Sequence, residues 1–85
     1  LPKTWFTYSV LIIDDHPLII EAYKTAFSFV TKENNKVIFN IEVAQDCDTA
    51  NDFIEDYAAK NKKLDIVFLD ISLPSSKDGK ILSGE

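Results

Sequence analysis

"VLIIDDHPLI", residues 10–19, runs from an unbroken apolar segment into two adjacent carboxylates, then a histidine, a proline and a second apolar run. Ser9 to Ile13 is short, rich in β-branched residues and apolar at both alternate positions, the pattern of a strand covered on both faces. Pro17 sits where the first turn of a helix tolerates proline, because the N–H it lacks has no intrahelical partner there. Leu18, Ile19, Ala22, Ala26, Phe27 and Val30 then recur at helical spacing, which predicts a helix carrying these residues as its apolar stripe. A doubly covered strand followed at once by a helix is the opening of a parallel α/β unit.

The rest of the chain repeats that unit. Lys32 to Lys36 is a polar loop, after which Val37, Phe39, Ile41 and Val43 alternate with Ile38, Asn40 and Glu42 as a period-two strand, nearer the sheet edge. Asp46 or Asp48 can cap the next helix, whose stripe is Ala50, Phe53, Ile54, Tyr57 and Ala58, and Asn61 to Lys63 ends it. "DIVFLD", residues 65–70, is a third strand with a continuous apolar interior. The order βαβαβ predicts right-handed crossovers and a doubly wound parallel sheet in spatial order 2-1-3, with one helix on each face.

Composition sets bounds on function. Eighty-five residues, 46% hydrophobic and 27% charged, fit one folded domain or part of one. A chain this short buries only about 60% of its unfolded surface, so a missing element would be felt strongly. The single cysteine, Cys47, leaves no internal disulfide and no cysteine-based metal cluster, which fits a reducing compartment. Nothing approaches the roughly 18 to 20 apolar residues of a membrane span, and the N-terminus lacks the pattern of a signal peptide, so the expected location is the cytoplasm, with no membrane partner. A net charge of −5 disfavours binding to a phosphate backbone, and a nucleic-acid role would need another segment.

In doubly wound sheets, chemistry collects at the carboxyl ends of the strands. Asp14 and Asp15 lie just past strand one and Asp70 ends strand three, so the predicted topology brings three carboxylates to one rim. At about 4 Å and an effective dielectric near 20, each like-charged pair costs on the order of 4 kcal/mol. A hard divalent cation such as Mg²⁺ would offset that repulsion and neutralise an incoming phosphoryl group, for which Asp70 could serve as the nucleophile. Either acidic feature alone is ordinary, since Asp breaks strands and caps helices; their coincidence on one rim is not. His16, beside a proline at a helix start, is expected at the surface and outside the site. Trp5, Phe6 and Tyr8 are expected to pack against the sheet edge, Phe27 and Phe29 beneath the first helix, and Cys47 as an inert small residue. Lys60, Lys62 and Lys63 are expected as a solvated helix end at the negative pole of the macrodipole.

"VLIIDDHPLI" followed by "DIVFLDISLPSSKDG" closely resembles the receiver domain of bacterial two-component response regulators. The acidic pair, the Asp-ended third strand and Pro74, four residues after Asp70, carry the resemblance, which covers essentially the whole chain. It implies a flavodoxin-like (CheY-like) fold and a regulatory domain, not an enzyme, with Asp70 accepting phosphate from a histidine kinase or histidine phosphotransfer protein. It further implies Mg²⁺ (or Mn²⁺) ligated by Asp15, Asp70 and the backbone carbonyl of Ser72, with Asp14 acting mostly through a water. The "DDHP" form looks most like receivers of the LuxR/NarL type, which are joined to a helix-turn-helix domain, so DNA would be reached only through such an output domain. The sequence departs from the family by carrying three residues between Pro74 and Asp78 where receivers usually carry two. It also lacks the fourth strand ending in Ser/Thr and the fifth ending in Lys, and Lys77 and Lys80 lie too near Asp70 to be taken as replacements. Residues 1–85 are therefore expected to be the N-terminal part of a single receiver domain, binding a divalent cation weakly without switching. Self-association is expected through the edge of the third strand, or by exchange of Ile71 to Glu85 with a second copy.

Three other classes fit less well. A phosphorylation-independent receiver-like interaction module would keep the fold and lose acidic residues, yet all three acids are present. A Mg²⁺-dependent aspartate-nucleophile phosphatase needs Asp-x-Asp, whereas Asp14 and Asp15 are adjacent and Asp70 is followed by Ile71 and Ser72. A flavodoxin would need a hydroxyl- and glycine-rich phosphate loop where "DDHP" stands.

Overall fold

The computed structural model describes residues 5–70. In chain order the elements are β1 (Phe6–Ile13), α1 (Pro17–Glu33), β2 (Val37–Ala44), α2 (Cys47–Ala59) and β3 (Ile66–Leu69). The strands form one parallel sheet in the order β2-β1-β3. This is the expected topology, that of the βαβαβ portion of a flavodoxin-like sheet.

β1 is central, and Val10, Leu11, Ile12 and Ile13 are fully buried. Alternation divides them between two apolar layers. Val10 and Ile12 pack with Ile20, Tyr23 and Phe27 of α1, together with Phe39, Ile41, Val43, Ile66 and Phe68. Leu11 and Ile13 pack with Ala44, Cys47 and Ala50, joined by Phe53, Ile54, Leu64 and Leu69. Rings tie α1 to both outer strands: Phe27 lies 4.6 Å from Phe39 and 5.9 Å from Phe68, and Tyr23 stacks on Phe68 at 4.5 Å.

The apolar stripe of α1 differs from the one its spacing predicts. Phe27 of that stripe does lie on the sheet, but its companions there are Ile20 and Tyr23, so the buried face is displaced by about one residue step, roughly 100° around the helix. Leu18 is 84% exposed, and Ile19, Ala22, Ala26, Phe29 and Val30 share its exposure. α1 is apolar on two adjoining faces, and the face bearing Tyr23 and Phe27 offers the larger area to bury.

β1 begins at Phe6, ahead of the expected Ser9, because its first residues pair with Val37 to Asn40 of β2. β3 starts opposite Val10, leaving Phe6 to Tyr8 beyond its reach. Asp65 closes that end: its N–H donates to the Ser9 carbonyl (2.9 Å) and its carboxylate accepts from the Ser9 N–H (2.8 Å). Trp5, Phe6 and Tyr8 are exposed instead of packed against the edge, although Tyr8 stacks on Phe39 at 5.9 Å.

Asp46 is the residue that caps α2, accepting from the Thr49 N–H at 2.7 Å. The helix ends in a Schellman turn. Asn61 takes a left-handed φ of 55°, its N–H donates to the Ala58 carbonyl, and the Lys62 N–H donates to the Tyr57 carbonyl at 2.8 Å. The lysines beyond form the expected solvated end: Lys60 reaches Asp56, Lys63 reaches Asp65, and Lys62 lies over the Tyr57 ring. Among the described residues β3 has only β1 beside it, and Val67 is exposed where cover on both faces was expected. No helix among the described residues is long and apolar enough to cross a membrane.

Candidate metal centre

The parallel register builds the site. Ile13 lies opposite both Ala44 and Leu69, so the next residues, Asp14 and Asp70, leave neighbouring strands side by side. The ladder continues one step to hold them: the Asp14 N–H donates to the Ala44 carbonyl (3.0 Å) and the Asp70 N–H to the Ile13 carbonyl (2.9 Å). Adjacent strands stand about 4.8 Å apart, which brings the two carboxylates within reach of one ion. Asp15 follows directly, and His16 is the N-cap residue of α1, with an extended backbone and no capping bond from its side chain.

His16 is drawn onto the acids. Its N–H donates to Asp14 Oδ1 at 2.9 Å, fixing a local turn, and its ring Nδ1 lies 2.7 Å from the same oxygen. That nitrogen is also 3.1 Å from Asp15 Oδ1 and 3.4 Å from Asp70 Oδ2. One donor atom from each of Asp14, Asp15, His16 and Asp70 fits within a 4.8 Å span. Asp14 and Asp70 form the floor, their side chains 10% and 17% exposed, while Asp15 and His16 form the open rim.

At these separations each carboxylate pair repels by roughly 3 to 4 kcal/mol for an effective dielectric near 20, and less where exposed Asp15 is involved. Within the cluster the compensating group is His16. The hydrogen bond to Asp14 is the main cause that raises its pKa from the ordinary 6.5, the charge of Asp15 adds to it, and desolvation opposes them. Because the folded value is the higher one, protonated His16 contributes its full stabilisation below the ordinary value, and this is lost as pH rises through the folded value. A proton NMR titration of the His16 ring should give a midpoint above 6.5, falling towards 6.5 in Asp14→Asn. A wild-type midpoint at or below 6.5 would contradict the contact.

Asp14, Asp15 and Asp70, singled out in the sequence, are brought together. Ser72, the lengthened loop from Pro74 to Asp78, and the tail from Ile71 to Glu85 lie outside the described residues. His16 was expected at the surface, and its ring is exposed, yet it belongs to the cluster. Its signal was there to be read: a residue two places after an Asp can donate its N–H to that carboxylate, which lays its own side chain over the acid. Cys47 is buried, and burial pushes its thiol pKa up, as suits an inert packing residue.

Three carboxylates are hard oxygen donors of the kind that hold Mg²⁺ or Mn²⁺, so the donor set fits the expected cation. No protein-family model matches the chain, and neither a curated protein nor a solved structure matches it.

Proposed function

We propose that the chain is a phosphoacceptor receiver domain of a two-component phosphorelay, in which Asp70 takes a phosphoryl group from a phosphohistidine of a histidine kinase or histidine phosphotransfer protein. The observation that carries this reading is the convergence of Asp70, at the carboxyl end of β3, with Asp14 and Asp15 from the end of β1. A carboxylate oxygen of Asp70 attacks phosphorus, and the new O–P bond forms as the donor's P–N bond breaks. The donor imidazole leaves with the electron pair of that bond, takes up a proton, and an acyl phosphate remains on Asp70. A carboxylate is a weak nucleophile, so the protein's contribution is position and charge.

Position comes from the β1–β3 ladder, which fixes the Asp70 backbone against Ile13. Asp14, nearly buried and accepting the His16 N–H, is held in one orientation beside it, with Asp15 open to solvent on the rim. Mg²⁺ or Mn²⁺ held by Asp14, Asp15 and Asp70 would neutralise charge on the transferred phosphoryl oxygens. Any action on DNA would be carried by a separate output domain, since this acidic chain has no charge pattern suited to DNA.

The test is incubation of the protein with phosphoramidate, a small donor whose P–N bond resembles that of phosphohistidine. The expected product carries one phosphoryl group, forms only with Mg²⁺ present, is absent in EDTA, and is released by hydroxylamine as acyl phosphates are. A label that forms equally in EDTA, or that resists hydroxylamine, would overturn the reading.

A further inference from the structure

We infer that the exposed apolar stripe of α1 is a self-association surface, on which α1 of a second copy of this chain packs antiparallel. The inference goes beyond the phosphoacceptor reading and does not rest on it. Leu18, Ile19, Ala22, Ala26, Phe29 and Val30 are all exposed, Leu18 at 84% and Phe29 at 61%. At about 100° per residue they fill one sector roughly 120° wide, beside the face that lies on the sheet. The only charged residues between them, Glu21 and Lys24, fall outside that sector and pair with each other at 3.8 Å. A contiguous apolar surface of this kind marks an interaction site.

The order of side chains along the stripe identifies the occupant. Read in either direction it runs large pair, alanine, alanine, large pair, and the positions mirror one another about residue 24. A two-fold axis at that point sets Leu18 and Ile19 of one copy against Phe29 and Val30 of the other, and Ala22 against Ala26, the self-complementary match an isologous interface needs. The central alanines let the two helix axes approach to about 8 Å, the near end of the usual range. Charge selects the antiparallel direction. It opposes the two macrodipoles and lays Lys32 and Glu33, at the end of one helix, beside Asp15 and His16 at the start of the other, so that each group has an opposite charge to hand once His16 is protonated.

The stripe is about 18 Å long on a helix about 10 Å across. Each copy therefore buries a few hundred Å², well under the roughly 800 Å² per partner of a standard interface, and the dimer is a weak one. Sedimentation velocity on the 85-residue chain is expected to show monomer at a few micromolar and dimer with a dissociation constant on the order of 10 to 100 µM. Ala26→Glu, a change to a good helix former at an exposed position, should leave the circular dichroism unaltered and weaken the dimer by about tenfold or more, because it sets a charge in the seam. Direction is read by oxidative cross-linking. Leu18→Cys mixed with Phe29→Cys should give a disulfide-linked pair, and neither variant should give one alone, since each position stands more than about 15 Å from its own copy across the axis. Buried Cys47 stays out of reach. A chain that remains monomeric at several hundred micromolar would overturn the inference. So would a dimer that Ala26→Glu leaves intact, which would put the contact elsewhere, as on the β3 edge, or cross-linking of Leu18→Cys by itself, which would make the pair parallel.

Discussion

Asp70→Asn is expected to reduce acyl-phosphate formation to background while making the cation-free protein more stable. The first effect follows from replacing a carboxylate nucleophile by a neutral amide, and a loss of roughly three orders of magnitude or more is the scale for removing a nucleophile. The second follows from the site's charge. Three carboxylates share a 4.8 Å cluster, with Asp14 and Asp70 largely shielded from water. Removing one charge should gain about 1 to 3 kcal/mol against urea in EDTA, after allowance for solvent screening. Mg²⁺ should then stabilise the unaltered protein and leave the variant unmoved, because only the former offers the full donor set. A variant less stable than wild type in EDTA would show that the carboxylates do not strain the fold.

Ile12→Ala should be the most damaging single change in the core. Ile12 is fully buried on the central strand, against Ile20 and the α1 rings. Truncating such a side chain costs about 2 to 5 kcal/mol. Domains have only about 5 to 15 kcal/mol in hand, and a chain this short sits at the lower end. Far-ultraviolet circular dichroism should show Ile12→Ala largely unfolded or melting far earlier. Leu18→Ala, at a position 84% exposed, should stay within about 0.5 kcal/mol of wild type. Equal damage from the two would mean that α1 lies on the sheet through its other apolar face.

That contrast marks the limit of what the sequence discloses. The doubly apolar β1 and "DIVFLD" each read only as strands, because a continuous apolar run of that length leaves no polar position to confuse its period, whereas the start of α2 left Asp46 and Asp48 both open as its cap. Parallel register then carried the reading to Asp14 and Asp70, since residues following paired strand ends must emerge together. α1 was different. Leu18, Ile19, Ala22 and Ala26 recur at helical spacing beside Ile20 and Tyr23, and spacing alone does not say which of the two adjoining faces meets the sheet with Phe27. The exposed Trp5–Tyr8 stretch escaped for a related reason: aromatic residues signal a strand but not where the third strand stops covering it. His16 was set aside because a histidine beside a proline at a helix start suggests a surface role, and the turn onto Asp14 gives it its place in the cluster.

The central claim, that Asp70 is the acceptor, is tested most directly by locating the phosphoryl group. Borohydride reduces an acyl phosphate on aspartate to homoserine, so phosphodonor-treated protein can be reduced, digested and sequenced by mass spectrometry. The account predicts homoserine at position 70 alone, formed only in protein labelled with Mg²⁺ present. Homoserine at Asp14 or Asp15, or an unreduced phosphoryl group on His16, would contradict it.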